Sequence, residues 1–365
     1  HRAHHQRSNK RKHKMKDTAI NILGVLQGLR PKTEKNKSID TASKIVFRDG
    51  KAWSWAGNVM VYVPFESISS KPFAVEADMI FNVLSKLKSR ETEITLTDDN
   101  KLLIATATSK TEIVAMDAGE IPCPNEGQWY NVDDEFAKSL SDCLIPSSGQ
   151  FEGVILDPAT KSAYSADVSQ LGKSELGYEI PECWLSSDNV WNLGSMSFGR
   201  KAVAISYSSP WLLIRFDDDS VFACTCKSTK YYANKDIVCN LVNCTGFSSE
   251  CTLSFGDDAT EAVNLVKLFI EKKGAGYTSI TAHVQGSTAT FLCRNTKGQS
   301  SATCSVQGVP EGRTIQFAVA AHTLERIATS KSPCDLMSNS DGERVIVLHP
   351  TDSTRVVIST DAVSE

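Results

Sequence analysis

At 365 residues, 41 % hydrophobic and 22 % charged, with a formal net charge of −4, the chain has room for two or three domains and an ordinary globular composition. No apolar run approaches the ~18 residues of a membrane-spanning helix, and no apolar h-region marks a secretory signal; a membrane partner is not expected. Residues 1–14 (HRAHHQRSNKRKHK) hold six of the 39 Lys/Arg, four of the seven His and no acid, which leaves a remainder near −10. That stretch is expected to be a disordered tail or an appended leader, with a grip on nucleic acid as the alternative.

The fold is expected to begin at Met15. INILGVLQGL places Ile22, Leu23, Val25, Leu26 and Leu29 on one helical face. KIVFRDGKAWSWAGNVMVYVPF then reads as strands turned at Asp49-Gly50 and Gly57-Asn58. A strand, KPFAVE, runs directly into the helix ADMIFNVLSKLKSR. Its stripe is Met79, Ile80, Val83, Leu84 and Leu87, with Asn82, Lys86 and Arg90 off it. TEITLTDDN, KLLIATAT and KTEIVAM read as three strands with a tight turn at Asp98–Asn100, and AGEIPCPNEGQ as a linker.

The pattern restarts with WYNV, the helix DDEFAKSLSDCLI, and strands around FEGVILDP and KSAYSADV. ECWLS, the helix SDNVWNLGSM and strands AVAISYS, WLLIRFDD and SVFACTC follow, with Asp133 and Ser187 as expected N-caps. STKYYANKDIVCNLVNCTG reads as a second linker. Beyond it ATEAVNLVKLFIEKK is expected to be the longest helix, followed by TSITAHV, TATFLCR and SSATCSV. TIQFAVA, the helix AHTLERIATSK, ERVIVLHP and TRVVIST close the chain.

One module, a short amphipathic helix with a run of strands, thus recurs six times. A period this long does not suit a solenoid, so duplication of a domain half is the better reading. The expected class is α+β, with three tandem domains at 15–120, 121–240 and 241–365 after the tail at 1–14.

Motifs for chemistry are missing. There is no P-loop, GxGxxG, HExxH or GxSxG, and only His283, His322 and His349 lie in the body of the chain. Asp217-Asp218-Asp219 reads as an acidic turn rather than a cation site. The eleven cysteines are scattered; Cys224 and Cys226 share a strand face without zinc or redox spacing. Trp53 and Trp55 share a face suited to packing, with base stacking as the alternative. No enzyme activity, cofactor or metal is expected.

The modules SKIVFRDGKAWSWAGNVMVYVPF and KPFAVEADMIFNVLSKL, the closing ERVIVLHP and TRVVIS, and three doubled domains in this length together resemble the bacterial-type DNA polymerase sliding clamp, the β subunit, particularly those of bacteriophages. The resemblance implies three tandem DNA-clamp domains per chain and a head-to-tail homodimer closing a six-domain ring. Helices would line the hole and sheets would form the outside. Double-stranded DNA, held without sequence preference, a DNA polymerase and a clamp loader are the implied partners, in the cytoplasm of a bacterial host.

Such a ring needs weak phosphate contacts from Lys and Arg on or just after its helices. The candidates are Arg30, Lys32, Lys86, Lys88, Arg90, Lys138, Arg200, Lys201, Lys267, Lys272, Lys273, Arg326 and Lys331. The family's partner-peptide pocket would include Asp167, Val168, Leu171, Val356, Val357 and Ile358. In YSADVSQLG the family's usual Gly-His-Arg is replaced by Val168, Ser169 and Gln170, and its Met-Pro-Met-Arg-Leu ending is replaced by STDAVSE. Two alternatives stay open: a clamp-fold coactivator tethering RNA polymerase, and a β-rich viral structural protein.

Overall fold

A computed structural model describes residues 14–29, 43–147, 149–167, 169–197, 199–232, 238, 241–270, 272–273, 276–277, 279–330 and 332–360. Among these, six α-helices of seven or more residues stand at the six expected places: α1 (Ala19–Leu26), α2 (Ala77–Leu87), α3 (Phe136–Cys143), α4 (Ser187–Met196), α5 (Ala259–Lys267) and α6 (Ala321–Thr329). Their apolar stripes explain them. Helix α1 buries Ile22 and Leu26, α5 buries Ala262, Val263 and Val266, and α6 buries Leu324 and Ile327.

The local differences from the sequence reading have local causes. Met15–Thr18, where the fold was expected to begin, is a strand paired with Glu91–Leu96, and Thr18 Oγ1 then caps α1 by accepting from the Asn21 N–H. Met79 is half exposed, and Phe81 takes its place under α2. Ser186, not Ser187, caps α4, its Oγ accepting from the Asn189 N–H at 3.2 Å. Helix α5 stops at Lys267. Phe269 packs into the core, and Asn295 Nδ2 donates to the Phe269 carbonyl at 2.8 Å where a further helical turn would have placed its own N–H. Lys272–Lys273 instead forms a two-residue strand with Gly276–Tyr277, so α2, with 11 residues, is the longest described helix.

The chain divides into two compact units: residues 1–137 with 191–226, and residues 138–190 with 227–365. In the first, a four-stranded antiparallel sheet runs Met15–Thr18, Glu91–Leu96, Lys101–Ala105, Lys110–Val114, and α1 packs on α2. An eight-stranded sheet runs Phe73–Glu76, Lys44–Arg48, Lys51–Trp55, Val59–Pro64, Val221–Thr225, Trp211–Phe216, Ala202–Ser208, Trp129–Asn131. Asp49 and Gly50 both have positive φ, the signature of a type I′ hairpin, as the Asp-Gly pair predicts.

The second unit holds a twelve-stranded sheet. Its order is Cys183–Leu185, Val154–Asp157, Ser162–Ala166, Gln170–Glu175, Thr354–Ser359, Arg344–Thr351, Cys334–Ser338, Ser248–Phe255, Gly298–Gln307, Thr288–Asn295, Ser279–Gln285, Thr314–Ala320. Helix α5 packs on α6 above a core that includes Phe291, Phe317 and Leu336.

Each long sheet joins strands from both sides of an expected linker. In the eight-stranded sheet the joint is Val59–Pro64 against Val221–Thr225, with Tyr62 opposite Val221. In the twelve-stranded sheet it is Gln170–Glu175 against Thr354–Ser359, with Leu171 opposite Val357. Counting the six modules in chain order, the first joint unites the last strand of the first module with that of the fourth, and the second joint unites the last strand of the third with that of the sixth. The compact units therefore gather halves that share a sheet rather than following the linkers.

Candidate nucleic-acid interface

The basic residues expected at the interface fall into distinct physical settings. Lys86 lies in the last turn of α2, and Lys88 follows the helix with φ of 53°; both are exposed and without an ion-pair partner among the described residues. Arg90 is exposed, with one long contact from its Nη1 to Thr108 Oγ1 at 3.4 Å. Lys138 is exposed on α3. Arg30, Lys32 and Lys331 lie outside the described residues, as do the side chains of Lys272 and Lys273.

Four others are engaged within the protein. Lys201 pairs with Asp134 at 2.9 Å, and Lys267 on α5 pairs with Glu325 on α6 at 2.5 Å. Arg200 Nε donates to Asp218 Oδ2 at 2.8 Å, while its Nη2 reaches the Val25 carbonyl in the last turn of α1. Arg326 Nη2 donates to the Asp142 carbonyl in the last turn of α3 at 3.1 Å. Burial pushes the Arg326 guanidinium down from its ordinary value, opposed by Cys143, Asp142 and Asp167 nearby. In both cases a cation meets the negative end of a helix, where unpaired carbonyls point outward.

The two joints are tight around these arginines. A Cβ on Gly28 would lie 2.7 Å from Met196 Sδ, and one on Gly172 only 2.0 Å from the Cys143 carbonyl oxygen. Asp218 also accepts from the Ser220 hydroxyl and N–H. Burial alone would raise its carboxyl, but Ser220 and Arg200 hold it below the ordinary value. The Asp217–Asp219 segment is thus a turn tied to a joint, and among the described residues no cluster of metal-ligating side chains occurs.

The residues expected at a peptide pocket divide between two faces of the twelve-stranded sheet. Leu171 and Val357, directly opposite in register, lie with Tyr164, Val345, Val347 and Val242 on one face. Val356 and Ile358 point to the other, into the core containing α5 and α6. Asp167 Oδ1 accepts from the Ser169 and Gln170 N–H groups, closing the turn between strands. Val168 lies outside the described residues. Tyr164, Val345 and Val347 were missed because alternation alone does not say which strand face a distant segment will cover; Val242 lies in that covering segment, which the sequence reading took as linker.

Trp53 and Trp55 pack half-buried against a cluster containing Val46, Met60, Ala118 and Ile121, with the ammonium of Lys51 4.2 Å above the Tyr62 ring beside them. The cluster accounts for both indoles by packing, with the expected linker supplying Ala118 and Ile121. Among the described cysteines none forms a disulfide. Burial raises the Cys143, Cys304 and Cys334 thiols to about 12, so they stay protonated at neutral pH.

No family profile matches the chain, and no curated protein does. Solved structures do. The DnaN sliding clamp (DNA polymerase III subunit beta) of Bartonella birtlesii, bound to griselimycin, matches with a TM-score of 0.76 at 12 % identity, over 96 % of this chain and 100 % of that one. The DNA polymerase sliding clamps of Caulobacter crescentus and Pseudomonas aeruginosa each match with a TM-score of 0.74 at 13 % identity, over the same shares. Likeness at such low identity speaks to architecture, and over nearly its whole length this chain has the β-clamp fold.

Proposed function

We propose that this chain is a DNA sliding clamp, a processivity factor whose work is topological rather than chemical. The observation that carries the reading is the pair of sheet joints, one uniting the first and fourth modules and the other the third and sixth, in a chain that matches clamps of known structure over 96 % of its length. Three domains, at 15–120, 121–240 and 241–365, would leave one joint unmade in a single chain. A second copy, placed head to tail, would supply it twice and close a ring of six domains.

Two open edges support that closure. Lys110–Val114 is an outer strand of the four-stranded sheet, with Val114 70 % exposed. Gly298–Gln307 pairs with Ser248–Phe255 only through Val306 and Gln307, which leaves its other end unpaired on that side among the described residues. Unpaired strand edges are templates for another strand.

In such a ring Lys86, Lys88, Lys138, Lys272 and Lys273 would contact phosphates loosely, without reading sequence. A polymerase or loader peptide would dock on the face carrying Leu171 and Val357, in the cytoplasm of a bacterial, and by sequence resemblance phage-infected, cell. The protein should run as a dimer of about 80 kDa, twice the 39.8 kDa chain. Replacing Lys86, Lys88, Lys272 and Lys273 with Gln should weaken retention on circular duplex and flatten its salt dependence. A steadily monomeric protein, or unchanged retention and salt slope, would count against the reading.

A further inference from the structure

We infer that the face carrying Leu171 and Val357 takes an acidic–apolar peptide segment of a partner protein, and that Arg355 selects the carboxylate in it; this rests on the peptide-docking reading above. Strand register places the group. Lys173 lies two residues after Leu171 on one strand, and Arg355 two residues before Val357 on the next, so all four side chains share a face. Lys173 and Arg355 stand directly opposite each other, as Leu171 and Val357 do. Tyr164, opposite Lys173 on its other side, belongs to the same apolar cluster as Leu171 and Val357.

Like charges directly opposite across a sheet are destabilising, and a carboxylate between them relieves the repulsion. The protein supplies one such carboxylate, and Lys173 takes it. Lys173 Nζ donates to Glu175 Oε1 at 3.0 Å and to Asn243 Oδ1 in the covering segment at 3.3 Å, with its side chain only 13 % exposed. Arg355 has no equivalent. Its half-buried guanidinium makes no hydrogen bond and lies within 4 Å of no carboxylate among the described residues. Asp335, two strands away, accepts from Thr252 at 2.6 Å and lies 3.2 Å from His349, while Asp352 in the adjoining hairpin turn is exposed without an ion pair among the described residues. The charge faces the covering segment: burial pushes the Cys244 thiol there up, and Arg355 opposes the push.

Apolar surface adjoins this charge. Leu171 is half-buried, and Leu241, two residues before Asn243 in the covering segment, is 54 % exposed. Two cations sharing one carboxylate, with uncovered leucines beside them, fit a ligand that brings both a negative group and aliphatic side chains. A peptide brings both, whereas nucleic acid would bring the charge alone. The cationic and apolar pairs stand one strand repeat apart, about 7 Å. An extended peptide spans that distance with an acid two positions from an apolar residue.

The test is selection of a randomised decapeptide library on the full chain, followed by fluorescence anisotropy of the enriched peptides and their acid-to-amide counterparts. The proteins are the parent, Arg355→Gln, Arg355→Lys, Leu241→Asp and the control Lys101→Gln, which removes a remote surface pair with Glu112. The parent should enrich peptides with Asp or Glu two positions from an apolar residue. Changing that acid to its amide should weaken binding to the parent about 10-fold, and to Arg355→Gln by no more than about twofold. Arg355→Lys should keep part of the preference, Leu241→Asp should weaken acid and amide peptides alike, and Lys101→Gln should change neither by more than about twofold. Far-UV circular dichroism checks the fold of each variant. Peptides that Leu241→Asp weakens but that show no acid preference overturn the role of Arg355 and leave the docking face standing. A duplex oligonucleotide that displaces the acidic peptide from the parent and binds Arg355→Gln more weakly assigns the cation to nucleic acid instead. No enrichment on the parent, or peptides indifferent to both Leu241→Asp and Arg355→Gln, overturns the docking face as well.

Discussion

The two joints within the chain perform the same task with different residues. In the first unit the stapling arginine lies in the loop after α4, is neutralised by Asp218, and sits beside the flexible end of Met196. In the second the arginine lies on α6 itself, half-buried, and the close approach is between two backbones, Gly172 and Cys143. The contact, a cation on the last turn of a helix, is kept at both joints, while the sequence position that supplies it changes. The joint-making arginines thereby stand apart from the exposed lysines at the C-terminal end of α2, which pair with no acid among the described residues.

The largest effect should come from forcing the backbones apart. Gly172→Ala places a Cβ against a carbonyl oxygen that cannot move without α3, and should destabilise the second unit by about 3 kcal/mol. Gly28→Ala meets the end of a methionine that can rotate away, and should cost the first unit about 1 kcal/mol or less. Thermal or urea unfolding of both variants checks the ordering; equal losses would mean the joints are not packed differently.

Next in size is removal of each staple. Arg326→Ala removes the charged donor to the Asp142 carbonyl in a half-buried site and should cost about 2 kcal/mol, against about 1 kcal/mol for Arg200→Ala, whose Asp218 keeps Ser220. Cys143 supplies a second readout. Its thiol, held near 12 at the end of α3, should resist a thiol reagent at pH 8 in the parent, while exposed Cys123 reacts. Faster labelling of Cys143 in Arg326→Ala would report an opened joint, and equal labelling would place the staple's role elsewhere.

A smaller effect should distinguish the joints by pH. The folded Asp218 carboxyl lies below its ordinary 3.8, so the stability it contributes is fully present above about 3.8 and is lost as pH falls through the lower folded value. Melting temperatures from about pH 5 down to pH 2.5 should therefore fall less steeply for Asp218→Asn than for the parent. Parallel curves would show that Asp218 does not couple the first joint to acid.

The positions of the six helices α1 to α6 were legible in the sequence, because each carries a 3.6-residue stripe beside period-2 strands, and the Asp49-Gly50 pair carries its own turn chemistry. The joints were not legible. Whether Val59–Pro64 would pair across the linker with Val221–Thr225 depends on edges that meet only after each half has folded. For the same reason Arg200 and Arg326 read as candidate phosphate contacts: a charge count sees the residue but not the carbonyl it will face. Met79 shows the complementary limit, since the apolar stripe of α2 admitted either it or Phe81, and packing chose the ring.

A closed ring, as proposed, would hold DNA by topology, so a change of DNA topology tests it more directly than affinity does. The measurement is retention of the loaded protein on a nicked circular duplex before and after the same DNA is linearised with one cut. A ring should be retained stably on the circle and lost rapidly from the linear form, at unchanged salt and sequence. Equal retention on both would show that the protein holds DNA by contact alone, and would contradict the ring.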